Sequence, residues 1–251
     1  MTDKPTEYFV KGKRLDGRDL DELRNIEITA HVLNGCDGSA LIKWGNNLIL
    51  AGVRGPRDCI PKHLSDPFQA RLKVKYNMTP FSSMNEHGRS GPSRRSIELS
   101  KIIRNAFEDV VILDKFPKAQ IEIFIEILQS DGGTRCAAMT AASVALADAG
   151  IPMKDMVQAV AAGKVDGKII LDMNYIEDAA NGGADVPIAI AGRNKQVLAF
   201  QMDGILNKED FEQMFEMVEK ASVIIKQKQI EALEKVYFSE EGKETEKRLP
   251  L

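Results

Sequence analysis

Residues 121–147 leave the chain little freedom. Ile121, Ile123, Ile125 and Ile127 alternate with Glu122, Phe124, Glu126 and Leu128, the period of a strand with one face firmly buried. Residues 136–147, CAAMTAASVALA, are nearly all small or apolar. Ala, Met and Leu favour helix, and apolarity all round predicts a buried one. Asp131-Gly132-Gly133-Thr134-Arg135 stands between them, so the stretch reads strand, glycine turn, helix. Such a turn leaves backbone N–H groups unpaired at a helix N-terminus, with the positive end of the helix dipole behind them. It is a ready site for an anion. Gly132 and Gly133 allow close approach, Thr134 offers a hydroxyl, and Arg135 adds a charged fork of donors. Alone the motif is weak, since many helix N-termini bind only water.

The bulk of the sequence narrows the setting. A chain of 251 residues makes one large domain or two small ones. Its 43% hydrophobic and 28% charged content suits a globular fold with a sizeable core. The net charge of −3 means that a nucleic-acid partner must be held by local basic clusters. Cys36, Cys59 and Cys136 are far apart and odd in number, which argues against a disulfide framework or a zinc site and suits a reducing compartment. No apolar run approaches the ~18 residues of a membrane span. The first residues are polar and lack a signal-peptide core, so a cytoplasmic location and no membrane partner are expected.

Along the chain, residues 1–13 read as a flexible arm. Ile26, Ile28, Ala30 and Val32 alternate as a strand, and SALIKW and LILAGV flank GNN as a hairpin. LKVKYNM alternates through Leu72, Val74, Tyr76 and Met78. Leu99, Ile102, Ile103, Ala106, Phe107 and Val110 make an amphipathic stripe, with Ser93 as its N-cap. From about Met153 four more strand candidates follow, VQAVAAG, KIILDM, VPIAIAG and QVLAFQM. A long helix from about Lys208 to Lys235 places Phe211, Met214, Phe215, Val218 and Ala221 on one face. Residues 239–251 are charged and aperiodic, a disordered tail. The halves, about 14–150 and 151–238, share a plan of antiparallel strands followed by helices. They are expected to pack together as one α+β domain over 14–238.

Three further clusters can carry chemistry. Arg94 and Arg95 open a helix where the dipole is already positive. Such local frustration often marks function, although two solvated charges read equally well. Residues 171–187, LDMNYIEDAANGGADVP, hold Asp172, Glu177, Asp178 and Asp185. Asp178 and Asp185 flank a loop of small residues and can converge, to hold a divalent cation or to supply a general acid. A solvated acidic loop is the plainer reading, and Asp185, beside a strand, is the sharper candidate. The connection after Val53 carries Arg54, Arg57, Lys62, His63 and Arg71, a solvated face or a grip for a nucleic-acid backbone. The histidines have no metal-like spacing, and no Walker loop, G-x-S-x-G or dinucleotide fingerprint is present.

The segments KRLDGR, GPSRRSIELS, LQSDGGTRCAA, LADAGIPM and GGADVPIA occur in this order. In that arrangement the chain resembles the RNase PH family of phosphorolytic exoribonucleases over roughly residues 14–234. YNMTPFS and GKVDGKIILDMNYIED make it most similar to the catalytic ring subunits of archaeal exosomes. The resemblance implies an RNase PH-like fold of two similar β-sheet/helix halves, of the ribosomal protein S5 domain 2-like type. It implies 3′-to-5′ degradation of RNA by phosphate attack, releasing nucleoside 5′-diphosphates, and the reverse reaction as tailing. By the same resemblance Gly133, Thr134 and Arg135 bind inorganic phosphate, the co-substrate. Arg94 and Arg95 bind the RNA 3′ end, and Lys62 and His63 meet incoming RNA. Asp185 is the catalytic acid or a metal ligand, with Asp178 as a second metal-proximal carboxylate, and Mg²⁺ is the implied cation. The implied partners are a homologous non-catalytic subunit, alternating with this chain in a hexameric ring built as a trimer of dimers, and RNA-binding cap subunits. A homohexameric tRNA-trimming relative and a non-catalytic RNA-binding ring subunit stay open as alternatives, though the joint presence of these site residues argues against a silent subunit.

Overall fold

Two short strands come first, β1 (Phe9–Val10) and β2 (Lys13–Arg14), paired antiparallel. The chain turns between them through Lys11 and Gly12, both at positive φ. Tyr8 is buried in a small cluster with Val165, Ile170 and Met173. The flexible arm expected over 1–13 is therefore too long, because an aromatic anchor and a hairpin fix the chain from Tyr8 onward. The computed structural model describes residues 7–83, 93–178, 183–192 and 195–238. The tail expected over 239–251 lies outside them.

The first large sheet contains β3 (Ile26–Ala30), β4 (Gly38–Trp44), β5 (Asn47–Asp58), β6 (Arg71–Met78) and β7 (Ala119–Gln129). Their order is β3-β4-β5-β7-β6. The GNN hairpin forms as expected, closing at Trp44 opposite Asn47. Ile121, Ile123, Ile125 and Ile127 all face the core. One expectation fails: β6 runs parallel to β7, Leu72 opposite Ile121 through Met78 opposite Ile127. Alternation encodes which face is buried but not the direction of the neighbour. A parallel pair needs a crossover, and helix α1 (Arg94–Glu108) lies in that connection. Ser93 caps α1 by accepting the N–H of Ser96.

Helix α2 (Thr134–Asp148) follows β7 and is buried along nearly its whole length. The second sheet lies on its other side. It contains β8 (Val157–Val165), β9 (Lys168–Leu171), β10 (Ala184–Ala191) and β11 (Gln196–Phe200), with the four-residue helix α3 (Tyr175–Asp178) between β9 and β10. Its order is β11-β10-β8-β9, all antiparallel. Packed against β4 and β5 on one face and β8 and β10 on the other, α2 explains its own composition, since small side chains let two sheets close over one helix. The final helix, α4 (Lys208–Tyr237), starts at an Asn207–Asp210 capping box and packs Met214, Met217, Val218, Ala221 and Ile225 inward. Phe211, expected on that face, is instead 37% exposed and meets Phe200 and Phe215 edge-on and stacked. One continuous apolar core joins both halves. No described helix is long and apolar enough to cross a membrane.

Candidate active site

The glycine turn forms where the alternation of β7 gives out. Gly132 and Gly133 both have φ near +69°, the left-handed region that residues with a Cβ avoid. The turn is clamped from behind. Asn47, at the start of β5, accepts from the Asp131 N–H at 2.6 Å and donates through Nδ2 to the Gly132 carbonyl at 2.7 Å. Arg24 donates to the carbonyls of Asp131 and Gly132. With these carbonyls held to the rear, the first N–H groups of α2, at Thr134 and Arg135, stand at the front without intrahelical partners.

The clamp rests on a buried ionic network. Arg24 donates to both Asp172 oxygens, from Nη2 to Oδ1 at 2.6 Å and from Nε to Oδ2 at 3.1 Å. Trp44 Nε1 adds a bond to Asp172 Oδ2 at 2.8 Å. Burial opposes the Asp172 charge, yet the Arg24 guanidinium and these hydrogen bonds hold its carboxyl below the usual range. Arg14 donates from Nε to Glu177 Oε1 at 2.7 Å and from Nη1 to the Leu171 carbonyl at 2.6 Å. Glu177 in turn accepts the Asn174 N–H at 2.9 Å. Asp172 and Glu177, which as sequence belong to an acidic loop, are thus buried partners of arginines. Their work is to hold α3, and with it Asp178, against the turn.

The front of the turn opens into a cleft of about 120 Å³, whose walls include Gly133, Thr134, Arg135, Arg95, Asp178 and Asp185. Three separate stretches of sequence therefore converge. Arg135 divides its fork, donating from Nη1 to Gln201 Oε1 at 2.7 Å and from Nη2 to Asp185 Oδ2 at 3.5 Å. Asp185, the second residue of β10, exchanges backbone hydrogen bonds with Asp203 at 2.8 and 2.9 Å. Burial and the like charge of Asp178 push the Asp185 carboxyl up to about 6, against Arg135 and Arg95. Asp178, at the rim, is also raised, first by withdrawal from water. Cys136 lies just behind the turn, and burial pushes its thiol far up, so it is no nucleophile.

The remaining candidates part company. Arg94 is exposed and outside the cleft wall, one helical step round from Arg95. Lys62 and His63 lie in an exposed 3₁₀ turn beyond the far end of β5. Asn47, at the near end of that strand, touches the glycine turn. A strand of this length spans on the order of 30 Å. Arg14, Arg24, Asn47 and Gln201 are site-building residues that sequence reading missed. The one signal was Arg14 within KRLDGR.

Among the described residues no group of three His, Cys, Asp or Glu side chains is placed to hold a metal. Two converging carboxylates beside an anion site are nonetheless the donor set that Mg²⁺ takes when substrate phosphate and water complete its octahedron. The donors fit that cation.

A helix terminus, arginines and paired acids around one cleft are the equipment of an enzyme that acts on phosphate esters. Residues 22–152 match domain 1 of the 3′ exoribonuclease family RNase PH, and residues 155–221 match its domain 2. The chain belongs to that family. It is 52% identical over 227 residues to the exosome complex component Rrp41 of Thermococcus kodakarensis, covering 90% of each chain. It is 50% identical over 231 residues to the Rrp41 of Nitrosopumilus maritimus, covering 92% of this chain and 94% of the relative. Among solved structures it resembles a chain of the Archaeoglobus fulgidus exosome with RNA bound to the active site, with TM-score 0.72 and 25% identity, over 86% of this chain and 92% of the other. Rice Rrp46 shares the fold, with TM-score 0.75 and 24% identity over 84% of this chain and 95% of the other.

Proposed function

We propose that this chain is the catalytic subunit of an archaeal exosome, degrading RNA from its 3′ end by phosphorolysis. The observation that carries the reading is the convergence of Thr134, Arg135, Arg95, Asp178 and Asp185 on one cleft. In that cleft orthophosphate sits at the α2 N-terminus, bound by the Thr134 hydroxyl and the Arg135 fork. Arg95 receives the phosphate of the last RNA linkage, and Arg94 serves the approaching strand. Both reactants are anions, so these cations and the helix terminus offset their repulsion and fix the line of attack.

A phosphate oxygen attacks the terminal phosphorus, the bond to the 3′-oxygen breaks, and a nucleoside 5′-diphosphate leaves. The shortened RNA keeps a 3′-hydroxyl, whose oxygen must gain a proton. Asp185 is the group placed to give one, since its raised pKa keeps it partly protonated near neutral pH. Asp178 and Asp185 would hold Mg²⁺ when it is present, and the cation would supply charge stabilisation at the phosphate oxygens. The product anhydride keeps much of the bond's free energy, so the reaction runs backward with diphosphates to tail RNA. Lys62 and His63 meet RNA well before it reaches the cleft. The chain works in a ring with a homologous partner and RNA-binding caps.

The test is RNA degradation by the chain, alone and with its partner, with and without phosphate, the products resolved by chromatography. Nucleoside diphosphates formed only with phosphate, and lost in Asp185→Ala, support the reading. Monophosphates formed without phosphate overturn it.

A further inference from the structure

Tyr76 stands behind the phosphate subsite and belongs to none of the roles above. Its side chain is 1% exposed. Its backbone N–H donates to Ser100 Oγ of α1 at 2.9 Å, so the strand and the helix that carries Arg95 are tied together at this residue. Its phenolic oxygen lies 3.0 Å from Thr134 Oγ1. The Arg95 guanidinium stands near enough to the same phenol that its charge acts against the effect of burial.

Donor chemistry sets the direction of this array. A guanidinium has donors and no acceptor. A neighbouring guanidinium gives the phenol nothing to donate to, and its proton goes to Thr134 Oγ1. Thr134 then keeps its proton for another partner. As the first residue of α2 it has no preceding helical turn to offer it a carbonyl. Among the described residues none accepts that proton, and Thr134 faces the cleft. Burial raises the phenol above its ordinary pKa, so it remains a donor at neutral pH. The donors run from Tyr76 to Thr134 and end at the cleft, with the Arg95 charge beside the phenol polarising the first bond.

We propose that Tyr76 is a positioning residue for the phosphate subsite, fixing the Thr134 hydroxyl as a donor aimed at orthophosphate and tying it to the helix that carries Arg95. The phosphate subsite and the helix that receives the RNA end are then held in register through one residue. The inference rests on the phosphorolytic reading above.

The experiment is steady-state phosphorolysis by the full chain, in the assembly that gives wild-type activity, with phosphate varied at saturating RNA. Tyr76→Phe removes one oxygen and keeps the ring. It is expected to raise the phosphate KM roughly tenfold, the loss of one charge-linked hydrogen bond, with kcat within about twofold. Thr134→Val is expected to raise the phosphate KM to a similar extent, Thr134→Ser to preserve it, and the Tyr76→Phe/Thr134→Val double variant to add nothing further. If Tyr76→Phe does not fold, the contrast between Thr134→Val and Thr134→Ser carries the test: an unchanged KM in Thr134→Val overturns the proposal. So does an unchanged phosphate KM in folded Tyr76→Phe, or effects that multiply in the double variant. A wild type that releases no nucleoside diphosphates brings down the functional reading and this inference with it. An active wild type with an indifferent Tyr76→Phe removes this inference alone.

Discussion

Arg135 and Asp185 face each other at 3.5 Å across the cleft, and the carboxyl is nevertheless pushed up to about 6. Burial is the largest cause and the like charge of Asp178 adds to it, together outweighing the attraction of Arg135 and Arg95. The cleft thus holds a carboxyl that a nearby cation has not fully ionised. Such a group is suited to giving a proton or to taking a stronger cation.

That state bears on stability. The folded pKa of Asp185, about 6, lies above the ~3.9 of an unfolded aspartate. The folded chain binds the proton more readily, so stability falls as pH rises from about 4 to about 6, and the deficit persists at neutral pH. For a side chain 17% exposed, a difference of roughly two pH units corresponds to on the order of 2–3 kcal/mol. Asp185→Asn is therefore expected to melt several degrees higher than wild type at pH 7.5 and to show no gain at pH 4. Its phosphorolysis falls by about 10²–10⁴, the usual contribution of a general acid. Paired thermal melts at the two pH values check the sign. A lower melting point at pH 7.5 would mean that pairing with Arg135 outweighs the cost of burial.

The front of this cleft was legible in the sequence because its parts are local. The isoleucine alternation sets β7, the glycines set the turn, and the alanine run sets α2, so Thr134 and Arg135 could be placed by reading a single segment. The clamp behind it was not legible. Arg24 and Asp172 are 148 residues apart, and Asn47 and Asp131 are 84 apart. Nothing in local periodicity tells a buried charge with a distant partner from a solvated one. Asp172 and Glu177 read as part of a solvated acidic loop for that reason, whereas Asp178 beside them does reach the cleft. Tyr76 did leave a signal, since its place in the inward register of LKVKYNM put a phenol in the core, where a hydroxyl needs a partner. The parallel direction of β6 left none.

Cation binding gives a second reading of the same carboxyls. If Mg²⁺ is held by Asp178 and Asp185, it competes with the proton that both carboxyls retain more than usual. Titrating the protein with Mg²⁺ near pH 6, in buffers of different ionisation heat, is expected to release a fraction of a proton per site. Near pH 8 the release vanishes, because the carboxyls are already ionised. Asp185→Asn removes most of it. Magnesium binding without proton release near pH 6 would place the cation elsewhere and leave Asp185 as the acid alone.

Lys62 and His63 make a separate prediction because they are exposed, in a turn with no buried residues. Replacing both with alanine is expected to leave stability within about 0.5 kcal/mol of wild type. Affinity for long RNA falls, and the slope of its salt dependence drops by about one charge. Degradation of an oligonucleotide too short to reach from the cleft to this turn stays unchanged. Binding isotherms at several salt concentrations, with a long and a short RNA, measure both effects. Equal losses on the two substrates would place the turn beside the reacting end.

The two turn glycines differ in what stands behind them. A Cβ on Gly132 would lie 2.5 Å from the carbonyl carbon of Asn174 and 2.7 Å from the Tyr175 nitrogen, both backbone atoms at the start of α3. A Cβ on Gly133 would meet Arg24 Nη2 at 3.2 Å, the movable end of a long side chain. Either alanine takes on the left-handed backbone cost of about 1–2 kcal/mol. Gly132→Ala adds an overpacking cost of about 1–3 kcal/mol, because backbone cannot step aside. Gly132→Ala should therefore be the less stable variant in denaturant titrations. Relief of its clash moves α3, and α3 carries Asp178, so it should also lose kcat. Gly133→Ala should stay folded and lose phosphate affinity, because its methyl group presses on Arg24, whose guanidinium holds the turn carbonyls and so aims the first N–H groups of α2. The reverse order of stability would mean that α3 does not rest on the turn, and the clamp joining the acids to the phosphate subsite would have to be redrawn.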